Sequence, residues 1–446
     1  MSIAQSLEDA TPALDFEAPL RSDDPRWTDF TLARGDWAIQ KIKRLFERQS
    51  AQRRLHVVFA SHRGAGKTTE LNRLSSVLSG NYYPVYFEAN LEMDAVRFEM
   101  EDLLLVIARA IEEKTRESGH ALEPGLLKSV EQWFSEVVLS DEQGKSFLAG
   151  VKAEAKTEGG IPFFAKLMAS VSSSLQIESK HRESIKSTLK KYPGTLMTHV
   201  NNLLAAANKQ LAATERQLLL IIDNMDRYEP KVIDELLVQS ADRFKALNCH
   251  LIVTPPIGLV LRPQSQMLES VFRCETMPTV SLRKREEAYA SFSGPGHDLM
   301  LNALEKRINV NKLIPDKTAQ DRLIFASGGA IRELLELAQD ATLEANSDTI
   351  TRDDVERVLH RRRQRLRDRI DANGWWPVLN KIAKSNRLDE DEACLEVLFQ
   401  RLAFQYNGEV WYDVHPLISE LPDFTAKPKA AAATKSATPK RRKKST

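Results

Sequence analysis

The sequence predicts an α/β fold in which a parallel sheet carries a helical insertion, a helical lid and a C-terminal winged-helix domain. Strand-like apolar runs alternate with helix-like stretches over residues 55–111 and again over residues 217–254. This alternation indicates parallel strands joined by crossover helices. The second run contains five consecutive aliphatic residues before Asp223, as expected of a buried central strand.

The core of the fold is predicted at residues 27–282, after a polar N-terminus, residues 1–26, that we expect to be disordered. The strands are predicted at residues 55–60, 82–89, 217–223, 249–254 and near 279–282. The helices of the core are predicted at residues 27–48, 70–78, 96–111 and 232–247.

A helical insertion is predicted at about residues 116–200, where the alternation stops. Within it, residues 159–175 are apolar and small, with Lys166 as the only charge. Such a patch marks an interface when it is exposed. The alternative is that the insertion packs on its own core.

Three further regions follow the core. Residues 283–370 have helical patterns and form the predicted lid, in which Thr351 and Asp354 form a capping-box pattern. Residues 371–425 contain two helix-like stretches and a hairpin signal at Asn407-Gly408, which together indicate a winged helix. Residues 426–446 lack an apolar pattern and are predicted to be disordered.

The composition is that of a globular protein, with 42% hydrophobic and 28% charged residues. No apolar stretch reaches the length of about 20 residues that spans a bilayer, so we expect no membrane contact. The three cysteines are far apart in the sequence and match no metal-binding spacing, which favours the reducing cytoplasm. Eight basic and no acidic residues follow position 426, while the rest of the chain has 55 basic and 62 acidic residues.

A glycine-containing loop lies between the first predicted strand and its helix. It reads Ser61, His62, Arg63, Gly64, Ala65, Gly66, Lys67, Thr68 and Thr69. Glycines let backbone N–H groups turn toward phosphates, and the helix N-terminus adds partial positive charge there. In such a loop the lysine reaches the β- and γ-phosphates, and the next hydroxyl holds Mg²⁺. The fold class is therefore predicted to be that of a P-loop NTPase, with residues 61–69 binding the nucleotide.

The loop departs from the strict pattern at Ser61, where glycine is usual. A small polar residue can make the turn if its φ is not positive. The alternative is a glycine-rich turn with a surface lysine.

Two aspartates follow the aliphatic strand. Asp223 is the candidate metal ligand, because a carboxylate at this strand end lies beside Mg²⁺ in phosphate-loop enzymes. The next residue, Asn224, cannot accept a proton. Asp226 is the nearest acid and is a candidate to activate the attacking water, the alternative being that it caps a turn or pairs with Arg227.

These motifs resemble those of STAND-type signalling NTPases and of AAA+ ATPases of the origin-recognition type. Asp223 with Asp226 resembles the arrangement of the former, and residues 326–335 resemble the sensor-2 motif of the latter. The resemblance covers about residues 30–425. It implies ATP and Mg²⁺ as cofactors, a role for Arg332 at the γ-phosphate and a sensor-1 role for Thr254.

The same resemblance implies two further contacts. An arginine finger would act between subunits, with Arg273 as the best positional match and Arg262 and Arg243 as rivals. Contacts to the nucleotide base are expected from residues 31–35, a turn that includes Arg34.

Two basic segments could contact polyanions. Residues 360–370 contain six arginines, which either form a solvated linker helix or lie on phosphates. The tail would attract nucleic acid through counterion release. For the winged domain, protein contact is the alternative, because Trp375, Trp376, Trp411 and Tyr412 are typical of cores and interfaces as well.

Two functions are consistent with these features. The first is a slow regulatory ATPase that forms ATP-dependent homo-oligomers and controls a separate effector protein, as in antiphage defence or mobile elements. The second is an initiator-like or loader-like ATPase that binds DNA through residues 361–446.

Overall fold

Five parallel strands form the central sheet of the computed structural model, and their spatial order is β2-β3-β4-β1-β5. The strands are β1 His56–Ser61, β2 Tyr82–Glu88, β3 Gln217–Asp223, β4 His250–Val253 and β5 Arg273–Met277. The structure describes residues 3–35, 38–49, 53–94, 96, 98–157, 163–176, 180–261, 265–287, 292–406 and 410–425. The predicted α/β class with a parallel core is confirmed.

Alternating residues of the strands face two different hydrophobic clusters, because successive side chains of a strand point to opposite faces. On one face, Val57, Phe59, Leu219 and Ile221 pack against the first two long helices of the core. The other face contributes to the larger cluster, which includes the insertion and the lid. Both faces of the sheet are therefore covered by helices, as crossover connections require.

The helices of the core and the insertion are numbered in chain order. They are α1 Leu7–Ala13, α2 Thr31–Arg34, α3 Ala38–Glu47, α4 Lys67–Leu78, α5 Ala89–Glu92, α6 Met100–Glu117, α7 Pro124–Trp133, α8 Glu142–Thr157, α9 Phe163–Gln176, α10 Lys180–Lys191, α11 Pro193–Ala212, α12 Pro230–Leu237, α13 Ala241–Lys245 and α14 Ser265–Glu269.

The lid and the C-terminal unit follow. Their helices are α15 Gly296–Glu305, α16 Val310–Leu313, α17 Lys317–Ala326, α18 Ile331–Glu344, α19 Arg352–Asn373, α20 Trp376–Ser385 and α21 Glu392–Phe399. The antiparallel strands β6 Ala403–Tyr406 and β7 Trp411–Val414 then form a hairpin. Two helices and a hairpin thus occur in the order predicted for a winged helix. The Asn407-Gly408 turn and the tail, residues 426–446, lie outside the described residues.

The N-terminal segment differs from the prediction, since it is folded rather than disordered. Ser6 caps α1 by accepting a hydrogen bond from the Asp9 backbone N–H, and Ala10 and Leu14 are buried. The Thr11 and Thr342 hydroxyls lie 2.9 Å apart, so α1 is held against α18 of the lid. The polar composition of the segment did not predict this. A few buried residues are enough to order a polar segment when they pack against a surface formed by residues far away in the sequence.

The apolar stretch of the insertion is buried in the part that the structure describes. Phe164, Leu167, Met168 and Val171 of α9 lie in the large hydrophobic cluster with α6. Residues 163–174 are therefore not an exposed patch, and they share the main core of the molecule rather than forming a separate core of the insertion. The π-helical turn Phe134–Val138 continues α7.

Smaller differences concern element boundaries. The helix predicted at residues 232–247 is two helices, α12 and α13, and the last strand is β5 rather than residues 279–282. Thr279 instead makes a single bridge to Tyr406 of the hairpin. Residues 283–287 are not helical. The capping box of Thr351 with Asp354 is confirmed at the start of α19.

None of the helices that the structure describes combines the length and the apolar content that crossing a membrane requires.

Candidate nucleotide-binding site

The phosphate loop connects β1 to α4 at the carboxyl edge of the sheet. Gly64 and Gly66 have φ values of +84° and +93°, a region that favours glycine. A Cβ atom on Gly64 would lie 2.8 Å from the Arg332 Cβ, so this position is also limited by the lid. Ser61, which replaces the usual glycine, lies within β1 with extended backbone and needs no positive φ.

Lys67 is the first residue of α4 and is directed to the acid that follows β3. Its Nζ lies 2.5 Å from Asp226 Oδ2 and 3.5 Å from Ser61 Oγ. Both Lys67 and Asp226 are buried. The lysine is therefore paired with a carboxylate of the same chain.

Asp223 is the hydrogen-bonding centre beneath the loop. Its Oδ2 accepts hydrogen bonds from the hydroxyls of Thr68 at 2.7 Å and Tyr86 at 3.1 Å. Its Oδ1 accepts from the Thr254 hydroxyl and the Asn224 backbone N–H, both at 2.7 Å. Burial and the charge of Asp223 raise the pKa of Tyr86, so the phenol stays a proton donor. Thr254 thus contacts the acid and does not line the pocket.

The donor set at this point fits Mg²⁺. This ion prefers oxygen ligands and is usually held by one or two carboxylates together with substrate phosphates. Thr68 lines the pocket, and the buried Asp223 carboxylate lies directly behind its hydroxyl. These two residues would hold the ion, which when bound neutralises phosphate charge.

Three arginines come together at the phosphate side of the pocket: Arg63 of the loop, Arg227 after β3 and Arg332 of α18. The Arg332 backbone N–H donates to the Gly64 carbonyl oxygen at 3.1 Å, which satisfies one of the free N–H groups at the start of α18. Burial, and then the charge of Arg227, lower the pKa of Arg332. The three like charges repel one another, so an anion between them is favoured.

Arg34 supports the loop from the side of α2. Its Nη2 donates to the Ala65 carbonyl oxygen at 2.6 Å, and its Nη1 lies 3.7 Å from Glu70 Oε1. Burial lowers the pKa of Arg34, and the charge of Glu70 opposes this. Arg34 lines the pocket, whereas Leu32 of the same turn is 73% exposed. Of the turn that was predicted to contact the nucleotide base, Arg34 therefore lines the pocket and Leu32 does not.

The apolar side of the pocket comes mainly from a segment that sequence analysis missed. Residues 15–28 cross the start of α4, where the Leu20 backbone N–H donates to Thr69 Oγ1 at 3.2 Å. The apolar side chains that line the pocket are Phe16, Ala18, Pro19, Leu20, Trp27, Phe30, Ala303, Ile331 and Leu335. This end of the pocket suits a flat, partly apolar ring such as a nucleobase.

His62 connects the phosphate loop to the C-terminal hairpin. The Gln405 backbone N–H donates to His62 Nε2 at 2.8 Å, and the imidazole packs edge-on against Phe404. The side chain is 2% exposed. Burial and the charge of Lys67 lower the pKa of His62 to about 3, so the ring is neutral. Because Nε2 accepts, Nδ1 carries the proton.

The predicted arginine fingers lie elsewhere. Arg273 starts β5 beside Val57, at the opposite end of the strand from the phosphate loop, and is exposed. Arg243 donates to Glu101 Oε1 at 2.8 Å. Arg262 lies outside the described residues. The structure therefore brings none of the described candidates to this pocket, and a role for Arg273 between subunits stays a prediction.

Most of the arginines in residues 361–369 are engaged with other parts of the chain. Arg361 lies by Glu344, Arg362 by Glu333, Arg363 by Glu420 and Arg367 by Asp423. Arg369 donates to the Gln400 carbonyl oxygen. This stretch therefore holds α19 to the lid and the C-terminal unit. Of the four aromatic residues noted in the sequence, Trp411 and Tyr412 are buried, and Trp375 and Trp376 are half-buried.

One carboxylate of the site was not singled out from the sequence. Glu88 ends β2 beside Asp223 and lines the pocket, and the Asn224 side-chain amide donates to its Oε2 at 2.5 Å. Glu88 could have been found from the strand order, because neighbouring parallel strands end at the same edge of a sheet.

No family model matches the chain, and no curated protein matches it. Several solved structures are similar in fold, among them the following three. A Walker-type ATPase of Pyrococcus abyssi is 12% identical, with a TM-score of 0.43 over 92% of this chain and 99% of that one. The Orc1 protein of Aeropyrum pernix, solved in complex with DNA, is 12% identical, with a TM-score of 0.38 over 87% and 92%.

The third is Cdc6p from Pyrobaculum aerophilum, which is 10% identical, with a TM-score of 0.35 over 87% and 92% of the two chains. The fold is a P-loop α/β fold by its own geometry. Its sheet is parallel, the phosphate loop follows β1, and Asp223 at the end of β3 accepts a hydrogen bond from Thr68 of α4.

Proposed function

We propose that this protein binds ATP with Mg²⁺, hydrolyses it slowly and acts as a nucleotide-controlled switch of the STAND or AAA+ kind. The observation that carries the proposal is one pocket that combines the phosphate loop, Lys67 and Thr68 with three arginines. A triphosphate supplies the negative charge that this cluster lacks. Slow turnover is expected because Lys67 is bound to Asp226, and this ion pair competes with the nucleotide for the lysine.

The switch reading is supported by direct contacts from the loop to two other parts of the chain. Gly64 binds the lid through the Arg332 backbone N–H, and His62 binds the hairpin through Gln405. A ligand can shift a conformational equilibrium only through different contacts in the two states. Nucleotide between the loop and Arg332 would supply such a difference and pass it to the C-terminal unit.

Binding and hydrolysis are tested by calorimetric titration with ATP and by release of inorganic phosphate. The wild type is expected to bind ATP with Mg²⁺ and to release phosphate, while Lys67→Ala should do neither measurably. Lys114→Ala is a matched control, because Lys114 pairs with Glu117 on α6, outside the pocket. A wild type that binds no nucleotide would remove the basis of the proposal.

The proposal includes ATP-dependent homo-oligomers and a separate effector protein, in antiphage defence or a mobile element. Light scattering after size-exclusion chromatography, with a non-hydrolysable ATP analogue, measures the first part. The wild type should gain mass with the analogue, and Lys67→Ala should not. Equal masses under all conditions would contradict assembly through this site.

An initiator-like or loader-like ATPase that binds DNA is the second candidate. It is favoured by the eight basic and no acidic residues after position 426. The internal ion pairs of residues 361–367 limit the DNA contact that this stretch can offer. Duplex binding, measured by fluorescence anisotropy at several salt concentrations, should weaken and lose salt dependence when residues 426–446 are deleted. Binding unchanged by the deletion would exclude the tail as a DNA contact.

A further inference from the structure

The nucleotide pocket contains several carboxylates, and their partners differ. Those that line it are Asp15, Glu17, Glu70, Glu88 and Asp226. Asp226 is bound to Lys67, and Glu70 accepts a hydrogen bond from the Trp27 indole N–H and lies by Arg34. Asp15 and Glu17 are exposed residues of the N-terminal segment. Glu88 is the carboxylate at the sheet edge that no cation holds among the described residues.

The position of Glu88 is set by the register of two strands. Glu88 and Asp223 are direct partners in the parallel pairing of β2 with β3. Strands of a sheet lie about 4.8 Å apart, so both backbones reach the phosphate side together. The Asp223 carboxylate is fully buried and saturated with four donors, whereas that of Glu88 opens into the pocket.

Asn224 fixes the Glu88 carboxylate. Its side-chain Nδ2 donates to Glu88 Oε2, and its backbone N–H donates to Asp223 Oδ1. Asn224 adopts a left-handed conformation, with φ of 60°, which asparagine tolerates better than most residues. The residue after Asp223 is thus an amide that holds an acid on the neighbouring strand.

We propose that Glu88 is the general base of ATP hydrolysis and that Asn224 is the positioning residue that holds it. This inference rests on the proposed ATPase function. Glu88 accepts a proton from a water molecule while the water oxygen forms a bond to the γ-phosphorus. The bond from that phosphorus to the β,γ-bridging oxygen breaks, and ADP leaves with the electron pair. The proton then passes from Glu88 to the phosphate product or to solvent.

Asp226 is poorly suited to this task. Its Oδ2 already accepts a hydrogen bond from Lys67 Nζ at 2.5 Å, so this oxygen is engaged with the lysine rather than directed at a water molecule. Glu88 instead accepts a neutral amide donor, which orients the carboxylate without adding a positive charge.

The test compares Glu88→Gln with the wild type in ATP affinity and in single-turnover hydrolysis. We expect ATP affinity within about threefold of the wild type and hydrolysis slower by at least about 100-fold, the usual effect of losing a general base. Glu92→Gln is the matched control, because Glu92 pairs with Arg109 on α5 and α6, outside the pocket. It should hydrolyse ATP at the wild-type rate.

Asn224→Ala supplies a second measurement. It separates kcat from KM, and a purely structural role of Asn224 would not change kcat alone. Loss of the amide donor should lower kcat with little change in KM, because the carboxylate loses its orientation while the nucleotide contacts remain. The outcomes also separate the two proposals. If the wild type does not hydrolyse ATP, both the ATPase function and this inference are wrong. If the wild type is active and the Glu88→Gln variant is equally active, only the role of Glu88 is overturned.

Discussion

Lys67 Nζ lies 2.5 Å from Asp226 Oδ2, and neither side chain is more than 7% exposed. The lysine that would contact the β- and γ-phosphates is thus held by an aspartate of the same pocket. If the proposed function holds, we expect ATP to replace this ion pair when it binds. Removing one partner of a buried pair leaves an uncompensated charge, which is strongly destabilising.

Asp226→Asn is therefore expected to lower the free energy of unfolding of the nucleotide-free protein by about 3 kcal/mol. The same change should tighten ATP binding, because the nucleotide becomes the partner of Lys67. Urea denaturation and calorimetric titration measure the two effects. If Asp226 activates water instead, as the sequence suggested, turnover will fall while ATP affinity stays at the wild-type value.

Arg332→Ala should slow hydrolysis by about 100-fold, the effect of losing one well-placed donor to the charge that develops at the transition state. ADP affinity should change little, because the loss concerns the γ-phosphate. Arg365→Ala, an exposed residue of α19, is the control. Steady-state phosphate release and ADP titration test this, and equal losses for ATP and ADP would argue for a role in folding of the lid.

The stability of the protein is expected to fall as the pH is lowered, in part through His62. The ordinary histidine pKa of 6.5 applies to the unfolded chain, whereas burial lowers the pKa of folded His62 to about 3. The unfolded state therefore binds the proton first. The contribution of neutral His62 to the free energy of unfolding is therefore complete above pH 6.5. Below that pH it is lost by up to about 1.4 kcal/mol per pH unit.

His62→Gln keeps an acceptor for the Gln405 N–H and does not titrate. Its unfolding free energy should therefore decline less than that of the wild type between pH 7 and pH 5, as measured by urea denaturation. Parallel declines would show that His62 is protonated in the folded protein.

Glu333 connects α18, α19 and the C-terminal hairpin. Its Oε1 lies 2.5 Å from Arg362 Nη2, and its carboxylate also lies near Arg401 and His415. Burial raises the pKa of Glu333, but His415, Arg362 and Arg401 outweigh it and lower the pKa to about 2. Glu333→Gln should cost about 3 kcal/mol in urea denaturation, since it leaves Arg362 with less of its partner charge. Asp368→Asn, at an exposed residue of α19, should cost less than about 1 kcal/mol.

Deleting residues 1–22 should weaken ATP binding and lower the melting temperature. The segment joins the core to the lid, since Asn72 Nδ2 donates to the Leu20 carbonyl oxygen and Gln339 Nε2 to that of Thr11. It also covers the apolar side of the pocket through Phe16 and Leu20. Titration with ATP and thermal denaturation measure both effects. Unchanged affinity would place the nucleobase elsewhere.

Local patterns were enough to predict the phosphate loop, Asp223 at the end of its strand and the helical lid that carries Arg332. Each is a short run of residues whose geometry follows from glycine conformations, strand burial and helix periodicity. The order of the elements then places them at the same edge of a parallel sheet, which the structure confirms.

The tertiary structure alone decided the contacts between distant segments. Glu88 meets Asn224 across 136 positions, and His62 meets Gln405 across 343. The N-terminal segment is folded because its few apolar residues find a surface on the lid and on α4. Such pairings depend on strand order and on packing between elements, which local propensities do not contain, and they determine which carboxylates line the pocket.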